Sequence, residues 1–255
     1  MPRLRQHPPR GLGGEDLSPA PLRFVALQNM DGGGFGRIER RLRALGHAVV
    51  VVQAWRGDPL PAPDGADAVL VGGSPLAAYD FEDHAFLRDE AAFLRAAADL
   101  GRPVLGICFG AQFLAHLLGG RAYRAHRAEI GAHPVFLTDD GRGDPLLAGF
   151  PPRCDVLQWH GDSFDLPPGA TLLARGEGIR HQLFRLGRVV GLQFHPEVTE
   201  AEVSRWALEH PDEVRGAGKT REGLVAEYRA IEPQLEGLGA RLVDNFVAAV
   251  GRART

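Results

Sequence analysis

The alternation of apolar strand-like runs with helical stretches predicts an α/β fold, an open, mostly parallel sheet with helices on both faces and added antiparallel strands. Three observations carry this. The stretch 47–54 (HAVVVVQA) is nearly continuously apolar, as a parallel strand buried on both faces must be. Glycine-rich turns link such runs to helical stretches. After Gly119-Gly120 the segments become short, with turn residues between them, the pattern of antiparallel strands.

In order, 23–28 (RFVALQ) reads as the first strand. The glycines at 32–34 lead to a helix over 35–45, stopped by Gly46. Strands follow at 47–54 and 67–71, the latter ending in Gly72-Gly73-Ser74-Pro75. A helix over 84–100 leads to a strand at 103–107 and a helical run at 111–118. Short strands are expected at 121–123, 133–137, 155–159, 171–174, 182–185 and 189–194. Helices are expected at 200–209, 221–231 and 238–250. Residues 1–21 are rich in Pro, Gly and Arg and lack the apolar centre of a signal peptide, so a flexible tail is expected there. The rest, 22–255, reads as one domain.

Composition narrows the function. The chain has 255 residues, 44% hydrophobic and 24% charged, with a net charge of -3. Nothing here favours nucleic acid or an anionic membrane surface as partner. No run approaches the ~20 apolar residues of a membrane span. The two cysteines, Cys108 and Cys154, form no C-x-x-C pair and no disulfide framework, so a reducing, cytoplasmic setting is expected.

The most informative stretch is Gly106-Ile107-Cys108-Phe109-Gly110. A buried strand, a sharp turn and a helix make a nucleophile elbow, and flanking glycines let strand and helix approach closely. Far downstream, a strand runs into Gln193-Phe194-His195-Pro196-Glu197. On an extended segment, residues two apart share a side, which suits an imidazole and the carboxylate that orients it. Thiol, imidazole and carboxylate are the parts of covalent acyl transfer. Cys154 lacks an elbow and is expected to pack on a strand.

These two motifs, with Gly72-Gly73-Ser74 and Gln158-Trp159-His160-Gly161-Asp162 between them, resemble those of the class I (triad-type) glutamine amidotransferases. The chain looks most like stand-alone relatives of the glutaminase domain of GMP synthetase, over about residues 24–197. The resemblance implies a flavodoxin-like sheet and hydrolysis of a γ-glutamyl amide, most simply L-glutamine. It implies Cys108 as nucleophile, His195 as base and acid, and Glu197 as its orienting partner. It places Gly73 and Phe109 as backbone donors to an oxyanion, and Gln112, Gly161 and Asp162 at the substrate. His160 either shapes the pocket or braces its loop. The loop departs from the family in reading Gly-Gly-Ser-Pro rather than Gly-Gly-Pro.

The ammonia released would serve a separate synthetase as partner. Two alternatives stand beside this: a hydrolase of γ-glutamyl conjugates, and a non-catalytic binding module on the same fold. No cofactor is called for. Cys108, His160, His195 and Glu197 are zinc-ligand types but lack zinc-site spacing. The Gly218-Lys219-Thr220 run lacks the leading glycine and preceding strand of a P-loop. Arg40-Arg41 and Arg121, Arg124 and Arg127 read as a solvated face.

Overall fold

The structure, a computed structural model, describes residues 20–32 and 34–254. All but the last two residues of the expected tail lie outside that range, as does Gly33. The first half follows the expected order: β1 (Arg23–Leu27), α1 (Gly36–Ala44), β2 (Ala48–Val52), β3 (Ala68–Val71), α2 (Ala85–Asp99), β4 (Val104–Ile107) and α3 (Phe109–Leu117). Then come β5 (Arg121–Leu137), α4 (Asp139–Gly143), β6 (Arg153–Asp165), β7 (Thr171–Gly176), β8 (His181–Leu186), β9 (Val189–Leu192), α5 (Glu200–Glu209), α6 (Pro211–Gly216) and α7 (Arg221–Arg254).

Among the described residues, nine strands form one sheet in the order β2-β1-β3-β4-β9-β8-β7-β5-β6. Pairings from β2 through β9 are parallel, and those from β9 through β6 are antiparallel. The all-apolar reading holds where both faces are covered: every residue of β3, β4 and β9 is buried. Edge strand β2 instead leaves Ala48 and Val50 exposed. One face packs Ile38 and Leu42 of α1 with Leu235, Leu242 and Phe246 of α7; the other packs Leu87 and Leu94 of α2 with Phe113 and Leu114 of α3. Residues spaced three or four apart share a helix face, and each such leucine contributes about 1.5–3 kcal/mol on burial.

Three expectations change. The segments read as separate strands at 121–123 and 133–137 belong to one strand, β5, whose register against β6 shifts between Arg124 and Glu129. Exposed charged residues at this irregularity hide the alternation from sequence. The helices expected at 221–231 and 238–250 are one helix, α7, with Pro233 inside it. Its buried Leu235, Leu238 and Leu242 hold the helix across the proline, so packing overrides the local breaker. Finally, β9 stops at Leu192, and the chain bends before His195.

Candidate active site

The nucleophile candidate sits where parallel strands end. β4 pairs with β9, Ile107 opposite Leu192, and the Cys108 N–H donates to the Leu192 carbonyl at 2.7 Å. Neighbouring strands therefore bring Cys108 and the His195 segment together at the carboxyl edge of the sheet, where open α/β sheets bind ligands. Cys108 has φ 54° and ψ -111°, and among the described residues it is the only non-glycine with positive φ. Such a conformation costs about 1–3 kcal/mol and persists only when its surroundings enforce it. They do. A Cβ on Gly106 would overlap the Gly110 carbonyl, and one on Gly110 would overlap the Val71 carbonyl. The strained turn places the thiol at the N-terminal end of α3, where free N–H groups favour negative charge.

His195 and Glu197 meet without a strand between them. Nδ1 lies 2.7 Å from Glu197 Oε1, and both side chains are buried. The i,i+2 spacing works through a bend whose backbone is pinned from outside. The Arg37 N–H donates to the Glu197 carbonyl at 2.8 Å, and the Tyr228 hydroxyl donates to the Val198 carbonyl at 2.8 Å. Gly239 of α7 passes close enough to the Pro196 carbonyl that a Cβ would lie 2.9 Å from it. Burial disfavours a charged His195, but the Glu197 carboxylate and the Cys108 thiol more than offset this and hold its pKa well above the usual range. The ring's Nε2 has no conventional hydrogen-bond partner. The Cys108 thiol is the group that acts on that ring beside Glu197, and its own hydrogen-bond acceptor is the Trp159 carbonyl at 3.7 Å.

The other expected residues gather round the same cleft of about 400 Å3, which Cys108, His195, Gly73, Gln112, Gly161 and Asp162 all line. A Cβ on Gly73 would stand 3.8 Å from His195 Cε1, so this loop faces the imidazole. Phe109 turns its ring into the core against Phe113, centroids 5.3 Å apart, leaving its backbone N–H in the first turn of α3. Gln112 Nε2 donates to the Asp162 carbonyl at 3.1 Å and lies 3.2 Å from Gln193 Oε1. Burial pushes the Asp162 carboxyl up, partly countered by Arg124 at 3.5 Å.

His160 also lines the cleft, but it lies with Gly161 and Asp162 inside strand β6, paired with β5, and not on the loop expected there. Nδ1 lies 2.8 Å from the Asp162 carbonyl, and Nε2 lies 3.4 Å from Glu129 Oε2. Burial opposes ionisation of Glu129, but the His160 hydrogen bond and charge, with the Ile179 N–H, hold its pKa below the usual carboxylate value. Sequence reasoning missed Glu129. It also missed Gln193, Arg124 as a partner of Asp162, and the wall of Trp159, Trp206, His210 and Glu213. Of these, Gln193 and Trp159 lay inside the motifs read from sequence and Arg124 in the basic cluster, while Glu129, Trp206, His210 and Glu213 carried no signal.

The family model for "Glutamine amidotransferase class-I" matches residues 31–208. The chain belongs to this family. A GMP synthase [glutamine-hydrolyzing] of Aeropyrum pernix is 39% identical over 187 residues, which is 72% of this chain but 34% of that protein. The chain thus spans about a third of that relative's length. The glutamine amidotransferase-like protein YfeJ of Salmonella typhimurium is 32% identical over 191 residues, covering 72% of this chain and 80% of YfeJ. The crystal structure of a glutamine amidotransferase from Thermotoga maritima superposes with a TM-score of 0.82 at 32% identity, over 89% of this chain and 98% of that one. The family's α/β sheet is the one expected.

Outside the cleft, the remaining candidates have ordinary partners. Lys219 of the P-loop-like run is ion-paired with Glu227. Arg41 makes a two-point contact with Asp244, and Arg121 pairs with Asp165. Cys154 lies buried on β6, and burial pushes its thiol up to about 12. Among the described residues, no helix is long and apolar enough to cross a membrane.

Proposed function

We infer that this amidotransferase hydrolyses the side-chain amide of L-glutamine through a γ-glutamyl thioester on Cys108. The observation that carries this is the junction of β4 with β9. It sets a strained cysteine against an imidazole whose other nitrogen is held by Glu197.

The thiolate attacks the amide carbon. The backbone N–H groups of Phe109 and Gly73 take the oxyanion, one such donor being worth about 3 kcal/mol of barrier. His195 passes its proton to the departing ammonia, then activates the water that releases glutamate. Gln112, Gly161 and Asp162 hold the amino-acid end of the substrate, and His160 steadies that part of β6. The ammonia goes to a separate synthetase, a reading supported by the GMP synthase named glutamine-hydrolyzing among the relatives. The two free cysteines support a reducing, cytoplasmic setting.

Mass spectrometry of the protein mixed with glutamine tests this. The expected result is a γ-glutamyl adduct on Cys108, and a glutamine-mimicking electrophile should label the same sulfur. A chain that shows neither, with or without partners, is a binding module rather than an enzyme. Hydrolysis of γ-glutamyl conjugates is a second reading, favoured by the aromatic wall beside His195.

A further inference from the structure

An aromatic wall stands beside the His195 ring. Trp206 of α5 packs edge-on to His195 with ring centroids 5.2 Å apart, and Trp159 packs on Trp206 at 5.6 Å. His210 lies 6.4 Å from Trp159, and the Trp159 Nε1–H donates to Glu213 at 2.8 Å. All four line the cleft that holds Cys108. His210 and Glu213 lie beyond residues 31–208, the part matched by the family model.

In the proposed thioester chemistry, His195 delivers its proton to the departing nitrogen. The surface next to its ring therefore receives the leaving group. Ammonia is too small to use such a wall. Indole faces attract positive charge, and the Glu213 carboxylate, with one oxygen 3.6 Å from His210 Nδ1 and the other accepting from Trp159, adds negative charge beside them. Arg124, the cleft's only Lys or Arg side chain among the described residues, is engaged elsewhere, with Asp162 and against Gly161 at the glutamyl end.

We propose that the cleft takes, besides glutamine, γ-glutamyl amides of short diamines, with the distal ammonium held by Trp159, Trp206 and Glu213. This rests on the acyl-thioester reading above and names the leaving group it serves. The Cys108 sulfur bonds to the γ-carbonyl carbon. The carbon–nitrogen bond breaks, and the His195 proton goes to the nitrogen, releasing the free diamine. Water then attacks the thioester carbon and gives one proton to His195. Its oxygen enters the glutamate carboxyl as the carbon–sulfur bond breaks.

The test compares kcat/KM of the full chain for mono-γ-glutamyl-1,4-diaminobutane, its neutral isostere γ-glutamyl-n-pentylamide, and L-glutamine. The diamine amide should exceed the pentylamide about tenfold, the size expected of one partly exposed charge contact with an aromatic wall. Glu213→Gln should cut that ratio to about threefold or less. Equal turnover of the two amides overturns the proposal, and so does a ratio untouched by Glu213→Gln. Adduct mass spectrometry separates the two failures. If glutamine acylates Cys108 and neither amide does, the diamine subsite falls and the glutaminase reading stands. If the diamine amide acylates Cys108 and glutamine does not, the subsite stands and the glutaminase reading falls.

Discussion

Two buried imidazole–carboxylate pairs stand on the same cleft, and they are wired differently. In His195–Glu197, Nδ1 meets the carboxylate at 2.7 Å, while Nε2 has no hydrogen-bond partner. In His160–Glu129, Nδ1 lies 2.8 Å from the Asp162 carbonyl, and Nε2, also without a conventional hydrogen bond, faces the carboxylate at an ion-pair distance of 3.4 Å. A ring with one nitrogen anchored and the other open toward a thiol is equipped to carry a proton. A ring whose second nitrogen faces only a carboxylate is equipped to hold its strand neighbours still. A histidine beside an acid is therefore a weak sign of proton transfer. A second nitrogen that faces a thiol rather than a carboxylate is the stronger one.

The largest expected effect strikes the open end. Cys108→Ala should lower ammonia release by at least about 10,000-fold with an unchanged circular dichroism spectrum, as removal of a nucleophile does. Near-normal turnover in this variant would break the assignment and leave the comparison between the pairs without meaning. Glu197→Gln comes next. It keeps a hydrogen-bonding group at Nδ1 but removes the charge that supports the imidazolium, so kcat should fall about 100- to 1000-fold. The check is whether kcat falls far more than KM changes; a pure KM effect would make this pair a brace like the other.

The two pairs also differ in how visible they are in sequence. His195 and Glu197 are two residues apart, and their contact needs only a local bend. Glu129 and His160 are cross-strand partners on β5 and β6. Finding them requires the register of a strand pair that shifts between Arg124 and Glu129, and a one-residue slip turns a side chain to the other face. The same division runs through the fold. β1, β3 and β4 were legible from apolar runs and glycine turns, because burial on both faces leaves a plain signature. The unity of α7 was not, because Pro233 and the nearby glycines read as breaks while packed leucines keep the helix whole. The aromatic wall was hidden for a related reason: α5 was legible as a helix, but nothing in its periodicity says that Trp206 turns toward His195.

Glu90 offers a control on what an imidazole partner does for a buried carboxylate. It is fully buried on α2 with no histidine beside it. Burial pushes it from 4.5 up to about 7, and the Asn29 side chain lowers it only in part. Glu129, also buried but facing His160 and accepting the Ile179 N–H, is held down instead. A raised carboxylate pKa means that the folded state binds the proton more tightly than the unfolded state. Stability should then fall as pH rises from 4.5 to 7, by about 3 kcal/mol in all, and stay low above. Glu90→Gln removes the titration. Urea denaturation should find the variant more stable than wild type at pH 8 by up to about 3 kcal/mol, with the gain vanishing near pH 4.5. A gain independent of pH would mean that packing, and not charge, sets this site.

The smallest expected effect tests the bracing pair. Glu129 accepts the Ile179 N–H at 3.0 Å and the Gln182 amide at 3.2 Å. Glu129→Gln keeps an oxygen for the first of these but loses the charge facing His160. The His160 ring then holds the Asp162 carbonyl less firmly, and Gln112, which donates to that same carbonyl at 3.1 Å, loses its fixed point. Both changes fall on the surface proposed to grip the amino-acid end of the substrate, remote from the sulfur. KM for glutamine should rise about tenfold while kcat stays within about threefold, the pattern of lost uniform binding. The opposite split, a large fall in kcat at constant KM, would mean that His160 and Glu129 take part in proton transfer, and that facing a carboxylate rather than a thiol does not keep an imidazole out of the chemistry.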